Sequence, residues 1–381
     1  MFIERLAVKG FRSLADVVWE PGKLNVLIGP NGGGKTNLLK VVRLLKASAG
    51  GQLGKFIQRE GGISSMLWDG QATAIEIESK NLFMGDEKAD YSLMLGKEGS
   101  SYFVGEEELF TEAGFGSHPD LIKRARRSAS IITDNDDRKQ ISIKDLKPGE
   151  TVLSLVGAVG VSIVIHEFSA DLSDSAIYGM IDLGPSRGPT VVSLEEIVAE
   201  DANNFIPVLH TAYTANRDFK NEMNAAMAAA FGGDFEELVF PPAADQRIQM
   251  RVRWKSLKRE QSSADLSDGT LRFIFLLTVL ANPKKPPFIA IEEPETGLHP
   301  SMLPIIADLA AEAAQLSQIV FTTHSPALLD ALGKHNPTIT VVESQAGKTR
   351  LKNITGEELA HWLREFTLGE AYSSGQLENI G

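Results

Sequence analysis

No cysteine occurs in this chain of 381 residues. That absence excludes disulfides, zinc–thiolate sites and thiol nucleophiles in one step, and an intracellular address matches it most simply. Long apolar runs are missing as well. The most apolar stretch, Val152–Ile165, has 14 residues with Gly157 and Gly160 inside it, against the roughly 20 that a membrane helix requires. It reads as a buried strand pair or core helix, and no membrane association is expected. The start, Met1-Phe2-Ile3-Glu4-Arg5, lacks a basic region followed by an apolar core and a cleavage site, so no secretion signal is visible and the expected location is cytoplasmic. Positive charge is scarce: 38 Lys and Arg stand against 50 Asp and Glu, a net charge of −12. This balance argues against indiscriminate coating of nucleic acid and leaves room for a local basic face. Internal repeats are absent, and no heptad series runs long enough for a coiled coil. The seven histidines lie far apart, and His166-Glu167 lacks the second histidine of an H-E-x-x-H pair, which removes any obvious metal cage.

What is present is ordinary in bulk and specific in detail. Hydrophobic residues make up 43% and charged residues 23%, as in a folded chain able to bury a large core in two lobes. Residues Gly29-Pro30-Asn31-Gly32-Gly33-Gly34-Lys35-Thr36 form a complete G-x-x-x-x-G-K-[ST] phosphate loop. Its context is right: a short β-branched strand, Leu24–Ile28, precedes it, and Asn37–Leu45 follows with helical spacing. Glycines allow positive φ and an inward-facing cradle of N–H groups, and the helix adds its positive end. Lys35 is then the mobile charge for the β and γ phosphates, and the Thr36 hydroxyl is a magnesium ligand.

Further motifs lie far downstream. Phe288-Ile289-Ala290-Ile291-Glu292-Glu293-Pro294-Glu295 is an apolar strand ending in acids. Such an end suits metal-assisted hydrolysis, with Glu292 on Mg²⁺ and Glu293 as the base for water. Aspartate is the common residue at the metal side; glutamate adds a methylene, which leaves direct and water-mediated contact both open. Leu266-Ser267-Asp268-Gly269-Thr270-Leu271-Arg272 opens an apolar helix, where Ser267 and Gly269 form a second phosphate-binding device or a simple helix cap. Thr322-Thr323-His324-Ser325-Pro326 closes another strand, and His324 reads as a donor to a phosphate or as an ordinary turn histidine.

Strands at Phe288–Ile291, Ile319–Thr323 and Thr338–Val342, with a helix over Ser301–Leu316, make βα units and a largely parallel sheet. The first 20 residues read as a strand, a turn and a second strand feeding the loop. Between Thr36 and Leu266 lie 229 residues, with a hairpin signal at Asp134-Asn135-Asp136-Asp137 and a helix over Asn221–Phe231. The expected organisation is therefore a discontinuous nucleotide head, 1–50 and 260–381, with an inserted accessory lobe over 51–259. Two basic clusters, Lys123–Arg127 and the six cations from Arg247 to Arg259, read first as solvated surface.

The four motifs in this order resemble the ABC-type ATPase heads of the RecF, SMC, Rad50 and OLD group. GPNGGGKT matches Walker A, LSDGTLR the signature, FIAIEEPETGLHP the Walker B strand with its D-loop, and TTHSP the switch histidine. Their wording is most similar to small AAA family ATPases. The resemblance implies an α/β P-loop NTPase with an N-terminal β subdomain and a mixed central sheet flanked by helices. It implies slow ATP hydrolysis with Mg²⁺, in a homodimer where Ser267 and Gly269 of one copy meet the triphosphate held by Lys35 of the other. Gly29 to Asn37 would hold the nucleotide, Glu293, His324 and Lys35 would serve hydrolysis, and Gly297–His299 would sit at the seam. Arg12 in Phe11-Arg12-Ser13 matches a nucleotide-reaching position, while the Q-loop glutamine is one of Gln52, Gln58 and Gln71. Long coiled coils are missing, and only 57 residues follow His324, so no Toprim nuclease is expected. The tail Leu368-Gly369-Glu370 with Gly375 resembles that of ATPases paired with a separate effector. The leading expectation is an ATP-gated switch or clamp in DNA repair or phage defence, with DNA as a possible partner. The alternatives are the nucleotide-binding subunit of an ABC transporter and an RNA- or metabolite-coupled ATPase.

Overall fold

The computed structural model describes all residues except 84–86, 113–118, 127, 134, 136, 142–145, 156–160, 356–366 and 376–381. The chain divides into two compact units, one of residues 1–175 and 338–354, the other of 176–337 and 355–381.

In the first unit, strand Phe2–Phe11 turns back at Arg12 into Leu14–Trp19, and the two pair antiparallel. They begin an eight-stranded sheet. Strand Ala74–Phe83 shows why it is one-sided: Ile75, Ile77 and Phe83 are buried, whereas Glu76, Glu78 and Lys80 point to water, which is the period-2 pattern of a half-covered sheet. The phosphate-loop strand differs, because all of Leu24–Ile28 is buried. It runs parallel to Thr338–Gln345, which pairs antiparallel with Lys348–Ile354. Strand and loop lead into helix Lys35–Ala49, whose Leu38, Leu39, Val41, Val42, Leu44 and Leu45 form the inward face. Trp19 ties the outer hairpin to this layer by donating its indole N–H to the Thr340 hydroxyl at 3.1 Å.

The second unit holds parallel strands Ala176–Tyr178, Phe288–Glu292 and Gln318–Thr322. Helices Asp268–Ala281, Leu303–Ala313 and Pro326–Gly333 belong to it, as do Phe205–Ala215 and Arg217–Phe231. The helix expected from Ser301 begins as a short 3₁₀ turn, Pro300–Met302, with the proline at its start, and continues as the α-helix Leu303–Ala313.

Three readings need adjustment. Stretch 152–165 is not a strand pair where it is described: it contains a 3₁₀ turn, Leu153–Leu155, and the start of helix Ile163–Ser173, with Val156–Gly160 outside the described residues. In the cluster Lys123–Arg127, Lys123 and Arg126 face solvent, but Arg124 is buried. Strand alternation forces it inward, where it donates to the carbonyls of Glu150 and Pro148. Arg127 lies outside the described residues, as do Asp134 and Asp136 of the expected hairpin, although strands Ser128–Ile132 and Arg138–Ile141 do pair antiparallel. In the second basic cluster, Arg253 donates to both Glu237 and Glu260, and Arg251 lies 4.0 Å from Glu260. Neighbouring acids neutralise that strand.

Candidate functional site

The phosphate loop is shaped by what its glycines avoid. Gly29 has φ +131°, and a Cβ there would sit 2.0 Å from the Val342 carbonyl oxygen. Gly34, at φ +119°, leaves only 2.2 Å to the Thr349 hydroxyl for the same atom. Any other residue would push the loop off its supports. Gly34 also precedes helix Lys35–Ala49, which has no side-chain cap and no acid in its first turn. An uncapped, acid-free helix start preceded by three consecutive glycines, Gly32 to Gly34, fits an anion of phosphate type. Lys35 is buried, and its ammonium donates to the carbonyls of Gly29 and Pro30 at 2.5 and 3.1 Å. Asn31, Gly32 and Thr36 are exposed, and Gly32 adds φ +79° with nothing within 4 Å of a Cβ position.

A hydroxyl relay braces this loop. The Asn37 amide donates to Ser13 Oγ at 2.8 Å, and Thr349 Oγ1 lies 2.8 Å from both Ser13 Oγ and the Gly33 carbonyl. One hydroxyl proton cannot serve both Thr349 contacts, so the order that satisfies every group is Asn37 to Ser13 to Thr349 to Gly33. Asn37 is thus placed as a brace for the loop. Arg12, expected to reach the nucleotide, has φ +47° and is paired with Glu60, which also accepts from Lys40 at 2.7 Å. The three candidate glutamines, Gln52, Gln58 and Gln71, are all exposed.

In the second unit, strand Phe288–Glu292 delivers its acids into a strained turn. Glu293 has φ +47°, a conformation that costs a non-glycine residue about 1–3 kcal/mol and persists only when its surroundings hold it. They do so from both sides. Its N–H donates to the Thr322 carbonyl at 2.9 Å, while its own carbonyl accepts from Arg272 at 3.0 Å and from the Thr296 N–H at 3.1 Å. The Glu293 carboxylate is left exposed. Glu295 reaches back to the histidine turn: one oxygen accepts from the Thr323 hydroxyl at 2.5 Å and the His324 N–H at 3.2 Å. Three buried atoms here have no partner, namely Glu295 Oε2, Arg272 Nε and His324 Nε2. Burial lowers the Arg272 pKa, and Glu295 and Glu293 oppose that shift.

Ser267 caps helix Asp268–Ala281, accepting from the Thr270 N–H at 3.1 Å, yet it stays exposed. Gly269 is required by packing, since a Cβ would approach the Gly297 carbonyl oxygen to 2.3 Å. The start of helix Asp268–Ala281 and the turn at Gly297 are thus in direct contact. Arg187 clamps the signature loop, donating to the carbonyls of Ser263, Ala264 and Leu266 and to the Asp268 carboxylate.

A family model described as "AAA domain, putative AbiEii toxin, Type IV TA system" matches residues 24–330. The chain belongs to this AAA-domain family. The matched span runs from the phosphate-loop strand of this AAA-domain protein through its signature and acidic strand into the helix after His324. Among solved structures, an SMC head bound to the C-winged helix domain of ScpA is similar at 15% identity, with a TM-score of 0.58 over 94% of this chain and 99% of that one. The Pyrococcus furiosus Smc head with an extended coiled coil, bound to the C-terminal domain of ScpA, gives 14% and 0.55 over 96% and 99%. The Pyrococcus yayanosii Smc head with coiled coil and joint gives 13% and 0.51, again over 96% and 99%. The AAA-domain protein therefore has the SMC-head form of the P-loop NTPase fold. No curated protein sequence matches it.

Ser13, Thr349, Arg187 and Glu295 were not among the residues expected from the sequence. Glu295 lies within the acidic motif and carried a usable signal, being the third acid after an apolar strand. Thr349 carried none, because it meets the Gly33 carbonyl across 316 positions of sequence.

Proposed function

We propose that this AAA-domain protein binds and hydrolyses ATP, and that the nucleotide gates a homodimer which acts through a separate effector. The observation that carries the reading is the glycine loop at an uncapped, acid-free helix start, with Lys35 buried beside it. In this reading Gly29 to Thr36 hold the triphosphate, Asn37 acts on it only through the loop that its amide braces at Ser13, and Lys35 offsets its β and γ charge. Thr36 and Glu292 supply the hydroxyl and carboxylate oxygens that suit a hard divalent ion, and among the described residues no cluster of three or more His, Asp or Glu offers another metal site. Magnesium, when bound, would neutralise charge on the phosphate oxygens. Glu293 polarises the attacking water, His324 donates toward phosphate, and Ser267 with Gly269 receives the triphosphate of a second copy. The strain and bracing at Glu293 support its role, since pre-positioned groups at outlier backbone are common where chemistry occurs.

Support for an effector comes from the family description, which names a toxin–antitoxin system, and from SMC heads crystallised with a partner domain. DNA repair or phage defence is the corresponding setting, with DNA as a possible second partner. The test is a size and turnover assay. With ATP and Mg²⁺, Glu293→Gln should trap a dimer that dissociates in ADP, and the unmodified chain should release phosphate. No ATP-dependent dimer and no turnover, with or without DNA, would refute the proposal.

A further inference from the structure

His324 Nδ1 lies 3.0 Å from the Tyr372 hydroxyl, although 48 positions separate the two residues. Tyr372 sits on a short helix, Leu368–Ser373, whose placement is tightly specified. Thr367 and Glu370 form a reciprocal capping box at its start. Leu368 and Ala371 are buried, and the Gly369 N–H donates to the Asp330 carboxylate at 2.7 Å. Gly369 cannot carry a side chain, because a Cβ would come within 2.5 Å of the Pro326 carbonyl oxygen and 2.8 Å of the Asp330 carboxylate. The helix is therefore fixed to the element that begins directly after His324, helix Pro326–Gly333. On the far side of the imidazole, Nε2 is buried and has no partner.

We propose that Tyr372 is a positioning residue that sets the proton of His324 on Nε2, so that the helix Leu368–Ser373 controls whether His324 can donate toward an anionic oxygen. A phenol is the better donor of this pair and a neutral imidazole nitrogen the better acceptor, so the hydroxyl donates to Nδ1 and the ring proton resides on Nε2. The reverse arrangement would aim a bare lone pair at any anion that approached Nε2. His324 is held from behind as well, through its backbone N–H on Glu295, so ring and backbone are fixed by two separate groups. Where a histidine ligates a metal, the hydrogen-bond partner of one ring nitrogen defines the chemistry of the other in the same way. The inference rests on the ATPase reading for its kinetic consequence, but not for the tautomer.

The test uses the full chain labelled with ¹⁵N-histidine. Two-bond ¹H–¹⁵N correlation should show His324 as the Nε2–H tautomer in the unmodified protein and as a mixture in Tyr372→Phe. Turnover of ATP in Tyr372→Phe should fall about tenfold in kcat, with KM changed less than about twofold, as expected for loss of one oriented hydrogen bond. Tyr372→Phe added to His324→Ala should cost nothing further, because both act through one group. Gly369→Val keeps the tyrosine but prevents docking of its helix, and should give the same mixed tautomer. An unchanged tautomer in Tyr372→Phe, or a mixed tautomer with unchanged kcat, overturns the proposal. Absence of turnover in the unmodified chain would instead refute the ATPase reading, and the tautomer measurement would still decide whether Tyr372 sets His324.

Discussion

The phosphate loop and the acidic strand end both combine unusual backbone with charge, but the side chains that brace them directly are satisfied to different degrees. Around the loop, Asn37, Ser13, Thr349 and the Gly33 carbonyl form a closed relay in which each group has a partner. At the strand end, Glu295, Arg272 and His324 each keep one buried polar atom unsatisfied. Leaving such an atom unpaired costs about 1–3 kcal/mol. A site that binds a fixed shape gains from being complete beforehand, whereas a site whose hydrogen bonds form during reaction must keep capacity in reserve. The contrast appears also between two carboxylates. Buried Glu107 accepts the Val152 and Leu153 N–H groups, one on each oxygen, while Glu295 uses only one of its two.

The largest effects should fall on the strand end. Glu293→Gln is expected to bind ATP with Kd within about threefold while kcat drops roughly 10³-fold, because only the transition state needs the base. Lys35→Ala should do the reverse, weakening ATP about 10²-fold by titration calorimetry. Equal loss of binding in both variants would erase the division between a binding half and a chemical half.

The brace behind the loop gives a smaller, structural effect. Thr349→Val leaves the buried Gly33 carbonyl and Ser13 without their hydroxyl, and should lower unfolding stability by about 1–2 kcal/mol and ATP affinity a few-fold. Chemical denaturation and calorimetry read the two separately. An unchanged affinity would mean that the loop keeps its shape without the relay.

Glu107 offers a control without chemistry. Burial pushes its carboxyl above the usual carboxylate range, and the two backbone N–H bonds and Arg124 only partly oppose this. The folded state thus holds this proton more tightly than the unfolded one. Its stabilising contribution is complete below about pH 4.5 and is lost as pH rises through the folded value. Relative to Glu107→Gln, the unmodified protein should lose stability as pH increases from 4 towards neutrality, with a slope of at most about 1.4 kcal/mol per pH unit, the limit for one proton. Thermal melts of both proteins across that range give the slope. A difference that runs the other way, with the unmodified protein gaining on the variant as pH rises, would reverse the assignment.

How much of this is readable in the sequence depends on the range of the interactions. Gly29 to Thr36 are consecutive, so their chemistry and their strand and helix follow from spacing alone, and strand Leu24–Ile28 lies where expected. Ser267, Glu293 and His324 stand out because each lies at the end of an apolar element. Their supports do not. Arg187 meets the signature about eighty positions away, Thr349 meets Gly33 across 316, and Tyr372 meets His324 across 48. No local periodicity encodes such pairs; only the fold brings them together. The same holds for Arg124, whose run of charge suggests solvent until strand alternation turns it inward.

The smallest effect should come from the basic strand Arg251–Trp254, where Arg251 also keeps a buried Nε without a partner, and it tests whether a guanidinium already paired with acids can still be drawn to a partner. Arg253 already donates to Glu237 and Glu260, so little of its charge is available to a phosphate backbone. Arg253→Ala should therefore change DNA affinity by less than about twofold, with the same dependence on salt. Each phosphate contact that is truly made contributes about 0.9 to the slope of log K against log salt. A slope reduced by about that amount in Arg253→Ala would show that the acids release the guanidinium to DNA, and that a second region of this molecule holds its hydrogen bonds only until a partner arrives.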